Sequence, residues 1–304
     1  FFSNDILPVA NETPSKILLV SFDNTLKSCA SKLPPCSLNF ITSGGIPYAF
    51  NNAQLHEDIF YDSTQNQTLD VYAPQNANNA PVIIFFYGGR WTDGKKEQYR
   101  FVADTFTKHG YVVVIPDYRK YPNVKFPAFV EDGAAAVAWS YNNIENYGGD
   151  QDNIFILGHS SGAHIASLVA TDKAYLESYD LKRDILKGFV GLSGPYAFIP
   201  EDEDLKDMFG PPERYPLMRA PNYVDGQQPP MLLIHGLDDE IVVLENAEKL
   251  RDAIIKNGGE VELKTYEGID HIETVGALMW FWRYKAGIEN DIVTFTKKYK
   301  AGNE

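Results

Sequence analysis

From residue 82 onward the chain alternates short apolar runs with longer stretches of helical periodicity. Residues 82–86, 111–115, 154–157, 188–192, 231–234 and 261–266 are strand-length runs, most of them rich in Val, Ile, Leu and Phe. Continuous apolar runs of this length fit strands covered on both faces. Apolar positions recur with helical spacing over 95–108, 126–147, 161–170, 244–257 and a last stretch ending near Lys300. Strand and helix alternating at this pace predict an α/β fold, a mostly parallel central sheet flanked by crossover helices. In such sheets the working site lies beyond the carboxyl ends of the strands. Upstream, residues 59–61 and 68–72 alternate in character around a polar turn and predict an N-terminal antiparallel hairpin that extends the sheet. Residues 172–187 and 200–230 break the rhythm with charge, proline and aromatics such as Phe209 and Tyr215. They are expected to form small lid-like insertions.

Composition narrows the class. A chain of 304 residues with 44% hydrophobic content can bury a full core, so one catalytic domain over residues 51–304 is the simplest organisation. The balance of 27 − 41 = −14 disfavours nucleic acid or an anionic membrane surface as partner. It favours a neutral or cationic small molecule instead. No apolar stretch of about twenty residues is present, so no transmembrane segment is expected. In the segment 1–50, Lys16-Ile-Leu-Leu-Val-Ser-Phe22 followed by Leu26-Lys-Ser-Cys29 is similar to a lipoprotein export signal with Cys29 as the acylation site. Asp23 and Asn24 interrupt its apolar part. This points to an exported or envelope-attached protein, with the cytoplasm as the other reading. Cys29 and Cys36 allow a disulfide and decide no compartment.

The chemistry centres on Asn153-Ile-Phe-Ile-Leu-Gly-His-Ser-Ser-Gly162, followed by Ala-His-Ile-Ala-Ser-Leu-Val-Ala170. Strand, tight turn and helix follow one another, with Ser160 at the apex between two glycines. A serine on such a turn is pushed into a cleft, and the first N–H groups of the helix face incoming negative charge. Ser160 is therefore the candidate nucleophile. It needs a base, because a free hydroxyl is protonated at neutral pH.

Six histidines are available. His159 and His164 lie on the turn and its helix and cannot fold back onto Ser160. His235 ends a strand, where a buried, hydrogen-bonded ring is expected. His56 and His109 lie away from the strand ends. His271 remains, in a loop after the run 261–266. A third group must orient the imidazole; Asp238, Asp239 and Glu240 all lie in the loop after His235, and spacing does not choose among them.

The order serine, acid, histidine along the chain is that of the α/β-hydrolase fold. Val82-Ile-Ile-Phe-Phe-Tyr-Gly-Gly-Arg-Trp91 resembles the oxyanion loop of the carboxylesterase and hormone-sensitive-lipase-like esterases, which usually reads His-Gly-Gly-x-Trp. Val114-Ile-Pro-Asp-Tyr-Arg119 and Phe126-Pro-Ala-Phe-Val-Glu-Asp-Gly133 resemble further motifs of that group, and the likeness runs from about residue 55 to the C-terminus. Its His-Gly-x-x-Asp-x-x-Val pattern implies Asp239 as the acid. By the same resemblance the backbone N–H groups of Gly89, Arg90 and Ser161 form the oxyanion hole, and Trp91 and Tyr87 are expected near the substrate. Tyr87 stands where the family carries a histidine that helps hold the loop, a change that bears on loop rigidity and leaves the backbone donors in place.

These parts imply a serine hydrolase cleaving carboxylic esters of small to medium acyl chains through an acyl-enzyme. An arylformamidase-like amide hydrolase and a non-catalytic binding member of the fold are the alternatives. No His-x-x-x-His or His-Glu-x-x-His pair, phosphate loop or dinucleotide fingerprint is present, so neither a metal nor another cofactor is expected.

Overall fold

A computed structural model describes residues 53–62 and 64–301, so the export-signal reading, Cys29 and Cys36 lie outside the described residues. Strands β1 (Ala53–Asp62), β2 (Gln67–Pro74), β3 (Ala80–Phe86), β4 (Val112–Pro116), β5 (Gly149–His159), β6 (Leu186–Leu192), β7 (Met231–Gly236) and β8 (Val261–Tyr266) form one sheet in the order β1-β2-β4-β3-β5-β6-β7-β8. Pairings β1–β2 and β2–β4 are antiparallel and all others parallel, as the hairpin and the strand–helix alternation predicted.

The central strands are the continuous apolar runs for a physical reason: both faces are covered. Val112–Pro116 is buried throughout, and so are residues 82–86 and 153–159. Removing such runs from water stabilises by about 25 cal/mol per Å² of apolar surface, which drives the helices onto both faces. These are α1 (Arg100–Lys108), α2 (Ala128–Asn143), α3 (Ser161–Thr171), α4 (Lys173–Glu177), α5 (Glu203–Phe209), α6 (Glu245–Lys256), α7 (His271–Gly276) and α8 (Ile288–Tyr299). Helix α3 is buried at every position, consistent with its uninterrupted small and apolar sequence.

Helix boundaries differ from the periodic reading at two places. The stretch 95–108 is a 3-10 turn over Lys96–Tyr99 that leads into α1. The stretch 126–147 starts its helix only at Ala128, because the residue before a proline is held away from helical geometry, and it finishes as a 3-10 turn over Ile144–Tyr147.

The insertion 200–230 is packed into the body of the protein. It holds α5 and two 3-10 turns, with Met208, Phe209, Met218 and Ala220 all at most 1% exposed. The Met218 carbonyl accepts a bond from His164 Nε2 at 2.7 Å. Two of the motifs singled out from sequence also meet: Arg119 Nε lies 2.9 Å from Asp132 Oδ1, and the Arg119 N–H donates to Asp132 Oδ2 at 2.7 Å. That pairing ties the loop after β4 to α2. No helix among the described residues is long and apolar enough to cross a membrane.

Candidate active site

The carboxyl ends of β3, β5, β6 and β7 lie side by side, with Phe86 paired to Gly158, Gly158 to Gly191, and Leu192 to both His159 and Ile234. Ser160 leaves this edge between β5 and α3 at φ 53° and ψ −124°. A residue with a side chain costs about 1–2 kcal/mol in that left-handed region, and such strain persists only where surroundings over-determine the turn. Here they do. The Ser160 N–H donates to the Leu192 carbonyl at 2.9 Å. A Cβ on Gly162 would lie 2.1 Å from the Phe86 carbonyl oxygen, and one on Gly158 would lie 2.5 Å from that of Gly162. Only glycines let helix and strand approach so closely. Ser161 then opens α3, and its N–H is one of the first-turn amides without an intrahelical acceptor.

His271 is the first residue of α7, whose start is held by a capping box between Asp270 and Glu273. Its Nε2 lies 2.9 Å from Ser160 Oγ and its Nδ1 2.8 Å from Asp239 Oδ2. The other carboxylate oxygen accepts the N–H groups of Ile241 and Val242 at 3.0 and 2.9 Å. A carboxylate facing Nδ1 keeps the ring proton there and leaves the Nε2 lone pair for the serine hydroxyl. Burial alone would raise the Asp239 carboxyl; the hydrogen bond and charge of His271, with the Val242 N–H, outweigh it and hold the group below its ordinary range.

Of the three acids left open by spacing, Asp238 and Glu240 are exposed and Asp239 turns inward. The Leu237 N–H bonds the Tyr266 carbonyl at 2.9 Å and the Asp238 N–H that of Ile269 at 3.1 Å, so the loop bearing Asp239 is laced to the loop that leads into His271. His235 is 1% exposed, as its strand position suggested, but its ring makes no well-formed hydrogen bond; Nε2 lies 3.7 Å from Asp239 Oδ2. The acid holds His271 instead.

The loop after β3 turns sharply, with Gly89, Arg90 and Trp91 all at positive φ. The Gly89 carbonyl accepts the N–H groups of Thr92 and Asp93 at 3.0 and 2.9 Å. Among the described residues, the N–H groups of Gly89 and Arg90 donate to no other protein atom. The Arg90 guanidinium reaches Asp202 at 2.7 Å and Asp204 at 2.9 Å, which ties this loop to the insertion that carries α5.

Tyr87 and Trp91, expected near the substrate, are both buried among aromatic side chains. Tyr87 is fully buried, its ring stacked between Tyr99 and Tyr118. Its hydroxyl donates to Asp117 and accepts from Lys120 Nζ, and its carbonyl accepts from the Tyr118 hydroxyl at 3.0 Å. These contacts hold the start of the loop on its buried side. Trp91 is 4% exposed, stacked on Phe198 and edge-on to His164 and Phe209. Asp117 entered the sequence reading only as part of the motif 114–119, and Lys120 not at all; a tyrosine facing two charged groups some thirty residues later leaves no local signature. Tyr87→Phe is expected to lower unfolding free energy by about 1–3 kcal/mol, since it strips a partner from two polar groups. Urea denaturation measures this, and an unchanged midpoint would deny the hydroxyl any net stabilising role.

Sheet order, turn geometry and the serine–histidine–aspartate arrangement define this protein as an α/β-hydrolase. The BD-FAE family profile matches residues 69–254, and the chain belongs to that family. It is 28% identical over 267 residues to the probable isoprenylcysteine alpha-carbonyl methylesterase ICMEL1 of Oryza sativa subsp. japonica, covering 78% of this chain and 63% of the relative. It is 31% identical over 181 residues to esterase LipQ of Mycobacterium tuberculosis (strain ATCC 25618 / H37Rv), covering 54% of this chain and 43% of that protein. The chain thus spans only part of the length of these curated relatives. Among solved structures, a truncated carbohydrate esterase from gut microbiota superposes with a TM-score of 0.71 at 21% identity, covering 83% of this chain and 98% of that one. Esterase B from Lactobacillus rhamnosis, inhibited by a tributyrin phosphonate, gives 0.71 at 19% identity, covering 94% of this chain and 97% of that one.

Proposed function

We propose that the protein is a serine hydrolase of carboxylic esters with small to medium acyl groups, acting through Ser160, His271 and Asp239. The observation that carries this reading is the pair of hydrogen bonds that links the three side chains in series. Ser160 Oγ attacks the ester carbonyl carbon while His271 Nε2 takes its proton, and Asp239 stabilises the imidazolium that results. The carbonyl oxygen becomes an oxyanion facing the N–H groups of Gly89, Arg90 and Ser161, each worth about 3–4 kcal/mol of barrier. Collapse of the tetrahedral intermediate breaks the ester C–O bond, with His271 returning the proton to the departing alcohol. Water then attacks the acyl-enzyme by the same steps and releases the acid.

An ester substrate fits the relatives, which carry esterase and methylesterase names. The formal charge of −14 favours esters without negative charge. The test is hydrolysis of p-nitrophenyl esters of two, four, eight and twelve carbons beside formanilide. Turnover of the shorter esters with a decline at longer chains is expected. Formanilide cleavage without ester turnover would transfer the chemistry to amides, and binding without cleavage of either would make the protein a binding member of the fold.

A further inference from the structure

His159 has no role in the proton transfers above, yet it is 2% exposed and its ring lies against that of His271, centroids 5.0 Å apart. A carbonyl oxygen only accepts, so the nitrogen 3.0 Å from the His271 carbonyl, Nε2, carries the proton of the His159 ring. Nδ1 is then a bare lone pair. It is buried without a hydrogen-bond partner and packs on Gly88, where an added Cβ would lie 2.8 Å from it and 3.0 Å from the Ser160 Cβ. Burial first, then the neighbouring His271, push the ring's pKa down to about 3, so it stays neutral beside a base that must become cationic.

A closed circuit results. It runs from Ser160 Oγ to His271 Nε2, from the His271 carbonyl to His159 Nε2, and from His159 along the chain to Ser160. The His271 carbonyl also accepts the Thr274 hydroxyl at 2.7 Å, which anchors the same atom to α7. A base at the start of a six-residue helix that follows a loop would otherwise drift relative to a serine more than a hundred residues earlier in the chain. The circuit limits that drift, and the contact with Gly88 sets the third loop against the same ring.

We propose that His159 is a positioning residue for His271: its Nε2–H on the base's carbonyl and its ring against Gly88 register base and oxyanion loop to the turn bearing Ser160. The proposal rests on the triad reading above. The test compares His159→Phe, which keeps a ring and drops the donor, with His159→Gln, whose amide nitrogen reaches nearly the same point, and His159→Asn, whose amide falls one methylene short. Steady-state ester hydrolysis gives kcat and KM separately. His159→Phe and His159→Asn are expected to lose roughly ten- to a hundredfold in kcat with KM nearly unchanged, and His159→Gln to recover most of it. Should His159→Phe not fold, the difference between Gln and Asn decides. A kcat within about twofold of wild type in Phe or Asn, or equal losses in Gln and Asn, would overturn the proposal. Ser160→Ala, assayed in parallel, separates the two levels: if it stays active the triad reading itself fails, whatever the His159 variants do.

Discussion

Ser160→Ala is expected to reduce ester turnover by at least about a thousandfold while the protein keeps its melting temperature. The first half follows from the covalent step. Without Oγ no acyl-enzyme forms, and only the oxyanion donors and substrate binding remain to assist direct attack by water. The second half follows from what the hydroxyl does not do. It caps no helix; its bond is to His271 Nε2 at 2.9 Å. Alanine also keeps the φ of 53° as strained as serine does. Ser160→Gly separates activity from strain: glycine adopts this φ freely, so the variant is expected to be inactive and more stable by up to about 1–2 kcal/mol. Calorimetry and a burst assay with p-nitrophenyl acetate read both effects. Turnover above a thousandth of wild type in the alanine variant would argue against covalent catalysis by this serine.

Acid is expected to destabilise the fold by about 3–4 kcal/mol between pH 7 and pH 5, above the ordinary carboxylate pKa values. The cause is two neutral histidines inside the protein. Burial lowers His164 to about 4 and, with His271 nearby, His159 to about 3. In the unfolded chain both take up protons near pH 6.5. Below that pH the unfolded state binds more protons than the folded one, so stability falls as pH falls, until the folded values are reached. His235, also lowered by burial, acts in the same direction. Asp239, held low, withdraws its contribution only below the ordinary carboxylate pKa, beneath this window. Asp132, raised by burial, works the opposite way and trims the loss near its acid end. Unfolding free energies measured by urea at several pH values give the slope. His164→Gln keeps a donor for the Met218 carbonyl and removes the titration, so its loss over the same window is expected to be smaller by about 2 kcal/mol. Equal slopes for variant and wild type would mean that His164 does not stay neutral in the folded state.

Much of this protein was determined by the sequence read locally. Short apolar runs rich in β-branched and aromatic residues, alternating with longer helical stretches, fit strands covered on both faces, so the parallel core over 82–86, 154–157 and 231–234 followed from the pattern. A serine between two glycines at a strand–helix junction dictates its own turn, because the collisions of a Cβ at Gly158 or Gly162 are with backbone a few residues away or on the adjacent strand. Helix ends were less legible, since Pro127 and the 3-10 turns act on single residues rather than on a pattern. The tertiary structure decided what depends on distant segments meeting. Spacing could not separate Asp238, Asp239 and Glu240; the bonds from Leu237 and Asp238 to the 266–269 loop turn Asp239 inward and leave its neighbours in water. Resemblance placed Tyr87 and Trp91 near the substrate, but the aromatic rings that pack on them, Tyr99 and Tyr118 on the one and Phe198 and Phe209 on the other, became visible only in the fold. His159 was set aside because it cannot reach Ser160 as a base, which is correct, and its bond to the His271 carbonyl 112 residues away was invisible to any local reading. Periodicity and turn chemistry are properties of neighbours in sequence, whereas the direction a side chain faces at a site is fixed by loops from separate strands, and only the closed sheet brings those loops together.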